Sequence, residues 1–104
     1  MSQRNVPAED RHPKEWLLSV RNQLISGLTP PVLNDLLDKL FESGVIRESE
    51  MTSIRTKPPK NGAREMVDAV RSKGAAACMV LITALRELDP CLFSELNPSG
   101  SNTL

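Results

Sequence analysis

The sequence AAACMVLITALREL, from Ala75 to Leu88, contains the longest apolar stretch of the chain, the eight residues 75–82. Gly74 precedes it, and Asp89-Pro90 follows it as a cap and first-turn signal for another helix. A helix that is apolar on nearly all sides is normally surrounded by other elements. The stretch therefore predicts the central helix of a helical bundle.

Two helices are predicted towards the N-terminus. The first begins at Pro13 and reaches Gly27, near which it bends or ends, with Trp16 as a core anchor beside an apolar stripe of Leu17, Val20, Leu24 and Leu28. Thr29 is expected to cap the second helix, which Pro30-Pro31 opens and Gly44 stops. Its apolar stripe comprises Leu33, Leu36, Leu37, Leu40 and Phe41.

Three shorter helices complete the pattern. One spans about residues 48–55, and residues 57–62, with a proline pair followed by Asn-Gly, predict a loop. Another spans about 63–72, with Met66, Val67 and Val70 on one face, and the last short helix carries Leu92, Phe93 and Leu96. Helices joined by short connections pack as antiparallel neighbours. The expected fold is an all-α, six-helix antiparallel bundle over residues 13–97, with a leader at 1–12 and a tail or linker at 98–104.

Composition excludes several classes of protein. An eight-residue apolar stretch is too short to cross a bilayer, and the polar N-terminus lacks the apolar region of a signal peptide. Two distant cysteines fit a reduced, cytoplasmic protein better than a secreted disulfide framework. The zero net charge argues against nucleic-acid binding, including a helix-turn-helix DNA reader, because such proteins carry a basic excess.

The residues that could support catalysis or metal binding are few. The single histidine, His12, falls in the predicted leader, and Cys78 lies within the apolar run, where a buried thiol is typical. Cys91 is more exposed by pattern, but no base is placed beside it. Two cysteines and one histidine lack the spacing of a zinc site, and no Gly-rich phosphate loop is present. We expect no enzyme activity, metal or cofactor.

Charge is segregated along the neutral chain. Residues 29–50 carry five acidic and two basic groups, whereas residues 51–74 carry six basic and two acidic groups. On the second helix, spacings of three and four place three carboxylates on one face; we call this the acidic surface, formed by Asp35, Asp38 and Glu42. Spacings of seven pair cations on the first and fourth helices; we call this the basic surface, formed by Lys14, Arg21, Arg64 and Arg71.

Both surfaces also have simpler explanations. Acidic residues in a helix's first turns favour its dipole, which covers Asp35 but not Glu42. Arg64 lies four residues before Asp68, so the two could form an intrahelical ion pair. More generally, alternating charge is common on solvated helix surfaces.

Several short motifs, in order, resemble the caspase recruitment domain family of the death-domain superfamily. Leu36-Leu37-Asp38-Lys39-Leu40 is similar to the family's second helix, and Gly44-Val45-Ile46 with Glu50-Met51 is similar to the connection that follows. Residues 61–68 resemble its fourth helix. Residues 73–78 and 87–90 look most like inflammatory caspases and their decoy relatives. The resemblance covers about residues 14–97, and the chain departs from it at Pro30-Pro31 and in the proline-rich connection before the fourth helix.

The resemblance implies a death-fold bundle that binds other domains of its own kind. It matches Asp38 to an acidic docking residue and Arg64 to a basic one. The expected partners are other caspase recruitment domains in a caspase, adaptor or sensor, with assembly of this chain into helical filaments. The chain is expected to be either the prodomain of a longer protein, such as a caspase, or a stand-alone domain that acts as a decoy or regulator. A further alternative is a lipopolysaccharide-binding domain that uses basic residues, namely Arg55, Lys57, Lys60, Arg64, Arg71 and Lys73.

Overall fold

Six α-helices account for most of residues 12–96, the part of the chain that the computed structural model describes. No strand occurs within these residues. The helices are α1 (Pro13–Gly27), α2 (Pro30–Glu42), α3 (Glu48–Arg55), α4 (Pro59–Lys73), α5 (Ala75–Leu88) and α6 (Pro90–Glu95). The prediction of an all-α, six-helix bundle is confirmed. The predicted leader, apart from His12, and the predicted tail lie outside the described residues.

Proline and glycine set the helix boundaries. Proline occupies the first position of four helices, α1, α2, α4 and α6, where its missing N–H would have no intrahelical partner. Asp89 caps α6 as predicted, since its Oδ1 accepts a hydrogen bond from the Leu92 backbone N–H at 3.1 Å. The predicted side-chain cap by Thr29 is wrong: this residue is extended and only its carbonyl accepts, from the Leu33 N–H at 2.9 Å.

The core is built around two helices. α5 packs against α1, α2, α4 and α6, which confirms its predicted central place, and α4 likewise packs against α1, α2, α3 and α5. The largest side chains with almost no exposure come from five helices: Leu17, Val20, Leu24, Leu36, Leu37, Leu40, Ile54, Met66, Val67, Leu81, Ile82 and Leu85. Burial of this apolar surface is the main stabilising term for the bundle.

One of the two predicted apolar faces needs correction. The apolar run 78–82 of α5 is buried or half-buried throughout, as predicted, and the exposed residues Thr83, Arg86 and Glu87 follow it. Phe41, placed by its spacing in the buried stripe of α2, is 43% exposed. The buried face of α2 consists of Leu33, Leu36, Leu37 and Leu40, without Phe41.

α6 is held by aromatic contacts. Trp16 of α1 is 4% exposed, which confirms it as a core anchor. The centre of its ring lies 5.6 Å from the centre of the Phe93 ring of α6. The Arg86 guanidinium of α5 sits 4.9 Å from the centre of the same Phe93 ring, within the range of a cation–π interaction. Three helices therefore meet at Phe93.

The predicted loop at residues 57–62 is wrong over most of its length. α4 begins at Pro59, because a proline is well suited to the first helical position. Gly62 is buried in the first turn, where an added Cβ would lie 2.9 Å from the Ile54 carbonyl oxygen. The glycine thus permits close approach of α4 to α3 and is not a loop residue.

Replacing Gly62 with valine is expected to lower the free energy of unfolding by about 1–3 kcal/mol, because a backbone carbonyl stands where the new side chain must go. Urea denaturation followed by circular dichroism measures the change. The control is Asn61→Val, which introduces the same residue at the exposed neighbouring position. Equal losses in the two variants would show that helix propensity, and not the close approach, sets the cost.

Candidate protein interaction surfaces

The acidic surface lies on the outer face of α2. Asp35, Asp38 and Glu42 are all exposed, whereas the leucines that alternate with them are buried against the bundle. This separation follows from the helical period, which turns residues three and four apart towards the same side. The structure therefore places the three predicted carboxylates on one accessible face.

Asp38 has a partner within the chain. The Arg55 Nη2 atom, at the end of α3, lies 2.6 Å from the Asp38 Oδ1 atom, and the Arg55 guanidinium also donates to the Asn34 side-chain and backbone oxygens at 3.3 Å. The Asp38 side chain is nevertheless 55% exposed. Arg55 therefore orients Asp38 and offsets one negative charge without closing the acidic surface to another molecule.

The basic surface forms where α1 packs along α4. Lys14 and Arg21 come from α1, and Arg64 and Arg71 come from α4. The Arg71 Nε atom donates to the Lys14 carbonyl oxygen at 3.4 Å, which ties the two helices together at this point. The four predicted cations thus belong to two adjacent helices.

Asp68 lies among these cations. Arg21 binds it with two hydrogen bonds, Nε to Oδ1 at 2.8 Å and Nη2 to Oδ2 at 2.9 Å. The intrahelical Arg64–Asp68 ion pair considered from the sequence is not the contact that forms: Arg64 donates to the Asn61 side chain at 3.4 Å. Helix packing, which brings Arg21 and Asp68 together across 47 residues of sequence, determines the pairing.

The electrostatics of Asp68 reflect this position. Hydrogen bonds from Arg21 hold the pKa of the Asp68 carboxyl below its usual value; partial burial opposes this effect, and the charges of Arg21, Arg71 and Arg64 add to it. Asp68 therefore stays ionised and fixes Arg21 against α4. The basic surface retains an excess of positive charge, with four cations to one carboxylate.

Acidification is expected to destabilise the protein in part through Asp68. Its pKa is lower in the folded chain than in the unfolded chain, where aspartate titrates at about 3.9. Its stabilising contribution is complete above the unfolded-state pKa and is lost as the pH falls through the lower, folded-state pKa. In urea denaturation from about pH 7 to about pH 2.5, the free energy of unfolding should fall less steeply for Asp68→Asn than for the unmodified chain.

Glu50 provides the comparison for this experiment. Its pKa is also lowered, chiefly by the hydrogen bond that its carboxylate accepts from the Arg47 backbone N–H at 2.8 Å. The Asp68→Asn variant should therefore keep part of the acid sensitivity. If the free energy of unfolding fell equally with pH in Asp68→Asn and in the unmodified chain, Asp68 would not be a source of the acid sensitivity.

The two cysteines have different surroundings. Cys78 is buried beneath α4, with its Sγ atom 3.8 Å from the Val70 carbonyl oxygen, and burial raises the pKa of its thiol. A buried, protonated thiol is a poor nucleophile. Cys91 is exposed at the start of α6. Within residues 12–96, no three side chains of the metal-binding types cluster closely enough to hold an ion.

The cations considered for lipid binding are partly paired within the chain. Arg55 contacts Asp38, Lys57 lies 3.0 Å from Glu65, and Lys73 lies 3.2 Å from Glu50. These contacts reduce the positive charge that the six-residue set offers to an anionic lipid. Among the described helices, none is both long enough and apolar enough to cross a membrane.

Comparison with known proteins identifies the family. The sequence model described as "Caspase recruitment domain" matches residues 14–99. Caspase-1 of Felis catus is 34% identical over 83 residues, which are 78% of this chain and 20% of that protein. Baculoviral IAP repeat-containing protein 3 of Canis lupus familiaris is 32% identical over 87 residues, 83% of this chain and 14% of that protein.

A shorter relative shows similar identity. Putative caspase recruitment domain-containing protein 17P of Homo sapiens is 32% identical over 85 residues, which are 80% of this chain and 77% of that protein. No solved structure gave a match. The chain thus corresponds to a fifth or less of the two long relatives and to most of the short one. The match over residues 14–99, together with the six-helix bundle, shows that the chain belongs to the caspase recruitment domain family.

Proposed function

We propose that this chain binds other caspase recruitment domains, with its acidic surface against a partner's basic surface and its basic surface against a partner's acidic surface. In the cytoplasm these contacts would bring a caspase, an adaptor or a sensor into an oligomeric, inflammasome- or apoptosome-like complex and so regulate caspase activation. The observation that carries the proposal is the presence of two oppositely charged surfaces on different helices of one bundle. The acidic surface is exposed at all three carboxylates, and the basic surface is exposed at Lys14 and Arg64 and half-buried at Arg21 and Arg71.

The packing of the helices supports contact between molecules. α1 rests on α4 and α5, whereas α2 rests on α5, α3 and α4. The cation beside Asp38 is Arg55 of α3, and the carboxylate beside Arg21 is Asp68 of α4, so each surface finds only a local partner within the chain. Asp35 and Glu42 on one surface, and Lys14 on the other, remain exposed for a second molecule.

Head-to-tail contact has a consequence for assembly. When two different surfaces of identical molecules bind each other, the contact is heterologous, and repetition gives a helical filament unless a ring closes. Complementary charge contributes mainly to the association rate and to partner choice. Self-assembly into filaments and recruitment of a related domain would therefore use the same two surfaces.

The proposal is tested by the salt dependence of binding. The chain is mixed with the caspase recruitment domain of Caspase-1 from Felis catus, and association is followed by stopped-flow fluorescence of a dye attached to the exposed Cys91. Between about 50 mM and about 500 mM salt the association rate constant should fall about tenfold or more, because screening weakens attraction between exposed charges. An association rate that is independent of salt would contradict binding through the charged surfaces.

A decoy function is the second candidate, favoured by the short human relative, most of whose length the chain matches. Recruitment and inhibition would use the same contact and differ in its effect on assembly. Substoichiometric chain added to the caspase-1 domain should shorten the lag of filament growth if it recruits. It should lengthen the lag or stop growth if it acts as a decoy.

A further inference from the structure

Two large apolar side chains stand out on the surface of residues 12–96. Leu18 of α1 is 54% exposed and Phe41 of α2 is 43% exposed, and they are the large apolar residues with the greatest exposure in this part of the chain. Both helices bury several other apolar residues completely. Each helix therefore contacts the core through other residues, and neither Leu18 nor Phe41 contributes a buried side chain.

One of these side chains lies within a charged surface, and the other lies at the edge of one. Leu18 is four residues after Lys14 and three before Arg21, so the three share one face of α1. Phe41 is three residues after Asp38, so it lies beside Asp38 on α2, whereas Glu42 lies about 100° further around the helix. Leu18 thus lies within the basic surface, and Phe41 borders the acidic surface at Asp38.

A single exposed apolar residue is ordinary and requires no explanation. Here two such residues occur, one within the basic surface and one at the Asp38 edge of the acidic surface, and the two surfaces carry opposite charge. An apolar contact enclosed by polar and charged groups is the usual anatomy of a protein interface, in which a few central residues carry most of the affinity. The coincidence of exposure and charge therefore indicates an anchor on each side.

We propose that Leu18 of one copy of this chain packs against Phe41 of a second copy, forming the apolar centre of the head-to-tail contact. This inference rests on the proposed function and adds the residues that supply its affinity. Charge complementarity selects this pairing. If Leu18 of one copy packed on Leu18 of another, the Lys14 and Arg21 side chains of both copies would face each other and repel. If Phe41 packed on Phe41, the carboxylates beside the two rings would repel in the same way. Only Leu18 on Phe41 joins unlike charges.

Alanine substitution tests the energetic part of the proposal. Self-association of the full chain is measured by sedimentation equilibrium for Leu18→Ala, Phe41→Ala and the control Thr83→Ala, an exposed residue of α5 outside both surfaces. Each anchor variant should weaken self-association about thirtyfold, as expected for a central interface residue, and the control should have little effect. Thermal denaturation verifies that all three variants are folded.

Crosslinking tests the position of the contact. Leu18→Cys and Phe41→Cys are made in separate chains that also carry Cys91→Ser, which removes the exposed native thiol. A short bifunctional thiol reagent should link the two variants when they are mixed and should give little dimer from either alone. Dimers that form equally well from each single variant would overturn the head-to-tail pairing.

The outcomes separate this inference from the proposed function. Loss of self-association in Asp38→Arg but not in the two alanine variants would overturn the apolar anchors and leave binding through charge in place. A chain that stays monomeric at every concentration would overturn pairing with a second copy. Recruitment of the caspase-1 domain would then be decided by the salt experiment alone.

Discussion

Shortening Leu81 to alanine is expected to lower the free energy of unfolding by about 2–5 kcal/mol. Leu81 is completely buried in α5, the helix that packs against α1, α2, α4 and α6. The substitution removes buried methyl groups and leaves a cavity that surrounding helices fill only in part. Because a domain of this size is stabilised by roughly 5–15 kcal/mol, the loss is a large share of the total.

Urea denaturation followed by circular dichroism measures this effect. Leu18→Ala, the same substitution at a residue that is 54% exposed, is the matched control and should change the free energy of unfolding by less than about 0.5 kcal/mol. If Leu81→Ala were no more destabilising than Leu18→Ala, the assignment of α5 to the centre of the core would be wrong.

Reversing the charge of Asp38 is expected to weaken self-association and binding to related domains by about a hundredfold or more. An arginine at this position would face the cations of a partner's basic surface. It would also stand beside Arg55, which loses the carboxylate that it contacts at 2.6 Å. Both effects replace attraction by repulsion at the centre of the acidic surface.

Negative-stain microscopy at rising protein concentration, together with sedimentation velocity, measures the effect of Asp38→Arg. Glu87→Arg is the control, since it makes the same change of charge at an exposed residue of α5 outside the acidic surface. Assembly should survive in the control and be lost in Asp38→Arg while the circular dichroism spectrum is unchanged. Equal assembly of both variants would exclude Asp38 from the interface.

Most of the fold could be predicted because its signals are local. Pro13, Pro30 and Asp89-Pro90 mark helix starts, and the run from Ala75 to Leu88 identifies the central helix. The start of α4 was missed because Pro58-Pro59 and Asn61-Gly62 have the composition of a loop. The role of Gly62 depends on its approach to the Ile54 carbonyl, a tertiary contact that no local pattern records.

The positions of the charged side chains could be predicted in part for a similar reason. The helical period places Asp35, Asp38 and Glu42 on one face whatever surrounds α2. It gives no information about Arg55, which reaches Asp38 from α3, or about the packing of α1 on α4 that joins Arg21 to Asp68. The exposure of Phe41 was missed because the edge of an apolar stripe is set by the neighbouring helices.

Mixing two variants that cannot assemble alone tests the central claim most directly. Asp38→Arg inactivates the acidic surface and leaves the basic surface intact, whereas Arg64→Glu combined with Arg71→Glu does the reverse. Sedimentation velocity should show each variant as a monomer and their mixture as a one-to-one dimer that grows no further, since one functional contact remains. A mixture that stays monomeric under conditions in which the unmodified chain assembles would contradict contact between the acidic and basic surfaces.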